Sequence, residues 1–184
     1  MTNSWVGPAL WTRASGTALT AAAAASMLPV SSPISLPPGF FEVGKKLRIS
    51  ASGIISCVVT TPGTARFDVR IGGVIAFDSL AMPLNIVAKT NVPWMLDVML
   101  DCRAIGTGTT TTTMGWGSWS SEAVLASPVP TVGGSGVFML PYNSAPAASS
   151  GWNNSIANLL DIYFTQTEAT GSLTCQSAMV ECLN

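Results

Sequence analysis

The stretch that decides the fold is NVPWMLDVMLDCRAIG, residues 91–106. Trp94, Leu96, Val98, Leu100 and Cys102 occupy alternate positions, and Met95, Asp97, Met99, Asp101 and Arg103 fill the positions between them. Successive strand side chains point to opposite faces, so this alternation predicts a core strand with one apolar face and one mixed outer face. Asp97 and Asp101 share that outer face four residues apart, about 13 Å at strand rise. That is too far to share a proton and wider than the roughly 6.5–9.5 Å between the two carboxyl groups of an inverting glycosidase. The pair is therefore expected to serve structure or subunit contact.

The same period of two extends outward on both sides. In KKLRISASGIISCVV, residues 45–59, Leu47, Ile49 and Ala51 alternate with Lys46, Arg48 and Ser50. Gly53 then permits a bulge or bend before Ile55 and Cys57. TPGT at 61–64 signals a turn. In ARFDVRIGGVIAFD, residues 65–78, Phe67, Val69 and Ile71 lie opposite Arg66, Asp68 and Arg70, and Gly72-Gly73 suits a hairpin turn. Further candidates are the Thr- and Trp-rich run 109–125, GVFML at 136–140, SIANLLDIYFTQT at 155–167 and SLTCQSAMVECLN at 172–184. About eight to ten strands with turn chemistry between them, and no convincing amphipathic helix, predict an all-β sandwich. Long Pro- and Gly-rich connections favour a jelly roll over a tight meander.

Residues 1–44 read differently. LPVSSPISLPPGFFEVG, residues 28–44, holds four prolines, which neither donate to a ladder nor continue a helix. The run Ala21–Ala25 is too short for a stable helix and fits an edge strand or an extended arm equally well. The expected organisation is an extended N-terminal arm over 1–44 and a jelly-roll-like β-sandwich over 45–184.

Charged residues make up 9% of the 184-residue chain and apolar residues 48%, against about a quarter charged in an ordinary domain. Either Ser and Thr hydroxyls keep the surface soluble, or the missing charge lies in subunit interfaces, whose cores are depleted in charge. We take the second reading. A net charge of −1 without a basic cluster argues against a nucleic-acid partner. No run approaches the ~18 apolar residues of a membrane-spanning helix, and MTNSWVGPALWTR lacks the form of a signal peptide, so synthesis in the cytoplasm without a membrane partner is expected.

The chain contains no histidine. That removes the commonest general base and metal ligand and excludes Ser-His-Asp and Cys-His arrangements. Cys57, Cys102, Cys175 and Cys182 lack CxxC spacing. Cys175 and Cys182 would stand about 23 Å apart along a strand, beyond disulfide reach. Buried free thiols in a reducing compartment are expected. The glycine-rich run 106–121 lacks the Gly-Lys-Ser/Thr of a phosphate loop, and no DxDxDG-like loop would organise calcium. The reading is of a non-enzyme with no catalytic residue, cofactor or metal. Trp116 and Trp119 form a candidate sugar-stacking platform if both are exposed.

GKKLRISASGII at 44–55, the Pro-Trp-led NVPWMLDVMLDC at 91–102 and the C-terminal SLTCQSAMVECLN together resemble the small jelly-roll cement or decoration proteins of tailed-bacteriophage capsids, over roughly residues 40–184. The resemblance implies a homotrimer on the outer surface of the virion that clamps neighbouring major capsid protein subunits without catalysis. The N-terminal arm would reach across the shell or an adjacent protomer. Candidate interface residues are Trp5, Trp11, Arg13, Phe40 and Phe41, since aromatics and Arg are the usual anchors. The alternative is a trimeric fibre-tip or receptor-binding head that recognises a host surface glycan. A coiled-coil stalk would distinguish it, and the first 44 residues carry no heptads.

Overall fold

The computed structural model describes residues 7–30 except 12 and 13, 34–58, 62–124 and 136–183, with backbone alone for 7–11. Twelve strands follow in order: β1 (Gly7–Trp11), β2 (Ala25–Ser26), β3 (Ile34–Leu36), β4 (Lys46–Cys57), β5 (Thr64–Ile71), β6 (Val74–Asp78), β7 (Met82–Pro83), β8 (Lys89–Ala104), β9 (Thr112–Ser121), β10 (Gly136–Leu140), β11 (Asn158–Gln166) and β12 (Ser172–Cys182). No helix occurs among the described residues.

The strands form two antiparallel sheets. The first runs β1-β12-β4-β8-β9-β10 and the second β2-β11-β5-β6, with β3 also on β11 and β7 on β5. Four of the pairings are nested in sequence: β1 with β12, β2 with β11, β4 with β8 and β5 with β6. The chain is thus one long antiparallel ribbon rolled into two layers, the topology of a jelly roll. The β9–β10 pair extends the first sheet beyond it.

Alternation sets which residues face inward. Leu47, Ile49, Ala51, Ile55 and Cys57 of β4 and Trp94, Leu96, Val98, Leu100 and Cys102 of β8 are all buried. Phe67 of β5 ties the layers together. Its ring centroid lies 5.8 Å from Trp94, 4.9 Å from Trp119 and 5.3 Å from Phe164, so rings from both sheets meet at it. Gly72 and Gly73 join Ile71 to Val74 as a two-residue hairpin, both at positive φ, where glycine avoids the Cβ penalty.

Two expectations are corrected here. The described residues of 1–44 are not separate from the sandwich, because β1, β2 and β3 pair within its sheets and Met27, Ile34, Leu36 and Phe41 sit in its core. At about 1.5–3 kcal/mol for each fully buried large apolar side chain, these four contribute an amount comparable to the whole stability of a domain. The bulge expected at Gly53 lies on the partner strand, where Cys175 and Ser177 oppose Gly53 and Ser52 and Gln176 is left over. Gly53 makes room for it: a Cβ there would stand 2.0 Å from the Thr174 carbonyl oxygen and 3.0 Å from the Gln176 nitrogen.

Candidate interaction face

The outward face of the first sheet gathers side chains from five strands. Across the ladder, Met95 stands opposite Ser120 and Ser120 opposite Val137; one step along, Asp97, Ser118 and Met139 form the next row; Met99 and Trp116 form the third. On the other side of β8, Ser52, Ser50 and Arg48 of β4 face Met95, Asp97 and Met99, and Ser177 and Met179 of β12 complete the surface. Met95 is 65% exposed, Val137 61%, Met139 71% and Trp116 38%. The result is a ridge of thioether and aromatic side chains beside small hydroxyls.

Between the ridge and β12 the serines leave a hollow of about 450 Å³, lined by Ser50, Ser52, Ser118, Ser120 and Ser177 with Met95 and Met179 at its sides. The charges beside it cancel, because Arg48 donates from both Nε and Nη2 to Asp97, the Nε bond measuring 3.0 Å. Both side chains are well exposed, 47% and 40%. Such a pair adds little stability, and its consequence is electrical neutrality at the centre of the face.

The outward face of the second sheet has opposite character. Arg66 makes a two-pronged pair with Asp78 at 2.7 and 2.6 Å. Arg70 binds the nearly buried Asp68 and lies 3.7 Å over the Tyr163 ring. These carboxylates are engaged by guanidinium groups on their own or adjacent strands. Among the described residues no group of three or more His, Cys, Asp or Glu side chains gathers as a metal site would require.

Phe40 and Phe41 close one end of the sandwich instead of projecting from it. Phe41 is 2% exposed, edge-on to Phe40 at 5.1 Å and to Trp152 at 5.6 Å. Its N–H donates to Asn154 Oδ1 at 3.1 Å, and Asn154 Nδ2 donates back to its carbonyl at 2.9 Å. Phe40 packs partly buried beneath Lys45, whose Nζ lies 4.5 Å from the ring centroid. Burial within the chain thus removes Phe41 as an interface anchor. Trp5 and Arg13 lie outside the described residues, as does the Trp11 side chain, although the Trp11 backbone pairs with Met179.

The sugar platform is also corrected. Trp119 is fully buried among the core rings while Trp116 faces outward, because an odd separation of three along one strand sends side chains to opposite faces. That parity was available in the sequence. Alternation along β8 alone puts Met95 and Met99 on an outer face, whereas Val137 and Met139 join them only through the order β8-β9-β10.

None of the four cysteines is joined in a disulfide. Cys57, Cys102 and Cys175 are buried, and desolvation pushes their thiols above the ordinary value, Cys175 to about 11. Cys175 and Cys182 lie along the same strand, which holds them apart.

Fold and face together define a β-sandwich of jelly-roll topology with one neutral, methionine-rich outer face. No protein-family model, curated protein or solved structure matches the chain.

Proposed function

We propose that the protein is a non-enzymatic structural component of a tailed-phage virion: a homotrimeric decoration protein that binds the outside of the assembled capsid and cements neighbouring major capsid subunits. The observation that carries this reading is the neutral, methionine-rich face of the first sheet. From their exposures, Met95, Val137, Met139 and Trp116 present on the order of 450 Å² of side-chain surface, a size at which patches on monomers are often functional. A standard interface takes about 800 Å² from each partner, a little over half of it apolar, so the ridge and its serines match one side of such a contact.

Stabilisation would follow from mass action. A protein that binds the assembled lattice and not the loose subunit lowers the free energy of the lattice by about 2.7 kcal/mol per site at a hundred times its Kd. The test is co-sedimentation of the full chain with emptied tailed-phage shells stripped of decoration protein, followed by thermal disruption of the shells. Saturable binding with a raised disruption temperature is expected. A chain that stays in the supernatant at every ionic strength would remove the reading.

A further inference from the structure

The second sheet holds a separate hollow. Strand β11 pairs with β2 at Tyr163 and Phe164 and with β3 at Asn158, Leu159 and Leu160. On this side of β11 a hollow of about 330 Å³ opens beside Asp161. Leu28, Pro29, Val30, Ile34 and Leu159 give it apolar walls, with Val30 and Leu159 largely exposed.

Asp161 is the charged group lining this hollow. Its Oδ1 accepts from the Ser26 hydroxyl at 2.6 Å and from the Ile162 N–H at 2.7 Å, which fixes the carboxylate in place. No ion pair to it occurs among the described residues. Arg70, its register partner across the ladder, is committed to Asp68 and stacked on Tyr163. Burial raises the Asp161 pKa above the ordinary carboxyl value despite the Ser26 bond, so its charge is incompletely solvated. A carboxylate held among apolar walls is complemented by a cation on an aliphatic body, which buries its stem and carries its own counter-charge.

We propose that this hollow binds a primary ammonium group on a short alkyl chain, either a free alkylamine or a lysine side chain of a partner protein, with the ammonium on Asp161 and the stem against Leu28, Val30 and Leu159. This inference is independent of the capsid reading.

The test is a titration of the full chain, followed by amide NMR, with n-pentylamine, 1-pentanol and Nα-acetyl-lysine methylamide at constant pH and ionic strength. Pentylamine is expected to move the amides of Ser26, Leu28, Asp161 and Ile162 saturably, with an affinity at least tenfold above that of pentanol. Asp161→Asn, which keeps an acceptor for Ser26, should bring the amine down to the level of the alcohol. Leu159→Ala, at an exposed position, should weaken both ligands while preserving their ratio, and it provides a second readout should Asp161→Asn fold poorly. Binding of the lysine derivative alongside pentylamine would assign the site to a partner's side chain; binding of pentylamine alone would assign it to a free amine. Equal affinity for amine and alcohol, an unchanged ratio in Asp161→Asn, or shifts confined to other residues would overturn the proposal.

Discussion

Replacing Phe67 with alanine tests the junction between the two sheets. The side chain is fully buried, and its ring meets Trp94, Trp119 and Phe164 at centroid separations of 5.8, 4.9 and 5.3 Å. Truncation of a buried Phe costs about 3–5 kcal/mol through lost transfer energy and the cavity left behind. Aromatic pairs add about 0.5–1.5 kcal/mol each beyond area, which places this site in the upper half of that range, near 4 kcal/mol. With a urea m-value of about 2 kcal/mol/M, the midpoint should fall by about 2 M. The assay is urea unfolding followed by tryptophan emission, to which the buried Trp94 and Trp119 contribute. Emission at zero urea should remain close to that of the unsubstituted protein, since the other core contacts persist. A loss below about 1.5 kcal/mol would refute the argument that the sheets are closed at this cluster, as would a change in m without a change in midpoint.

Three further substitutions or treatments probe other parts of the molecule. Gly53→Ala should cost about 1–3 kcal/mol in the same assay, because the new Cβ would meet backbone atoms of β12 that cannot rotate away; Ser52→Ala, next along the strand, should change stability by less than about 0.5 kcal/mol. Met139→Glu should leave the melting temperature unchanged, since the side chain is exposed, yet weaken shell binding at least tenfold in co-sedimentation; unaltered binding would clear this face of the role proposed for it. Under native conditions at pH 8, a thiol reagent should label Cys182 first. Burial holds Cys57, Cys102 and Cys175 protonated and shielded, so rapid labelling of all four would contradict the packing.

The long strands were legible because their faces differ. In β4, β8 and β11 the buried and less buried positions alternate over eight or more residues, enough for a period of two to stand out. The short strands were not legible. β2 has two residues and β3 three, bounded by prolines and small residues, and they exist because β11 offers them an edge. No local pattern can report a partner some 120 to 140 positions away. For the same reason 1–44 read as an arm, although Met27, Ile34, Leu36 and Phe41 are core residues. The interaction face was half legible. Met95 and Met99 declared themselves outward by parity, and their union with Val137 and Met139 required the strand order.

The face of the first sheet also makes this surface sensitive to oxidants. Met95 and Met139 stand well exposed, and Met99 and Met179 lie partly exposed beside them. Peroxide converts each thioether into a polar, chiral sulfoxide, reversible only by dedicated reductases. Four such conversions would turn the apolar ridge into a hydrated one without disturbing Phe67 or the rings around it, which water and peroxide do not reach. Adhesion and folding would then fail separately: a peroxide-treated sample would keep its unfolding transition while losing its grip on whatever this surface holds.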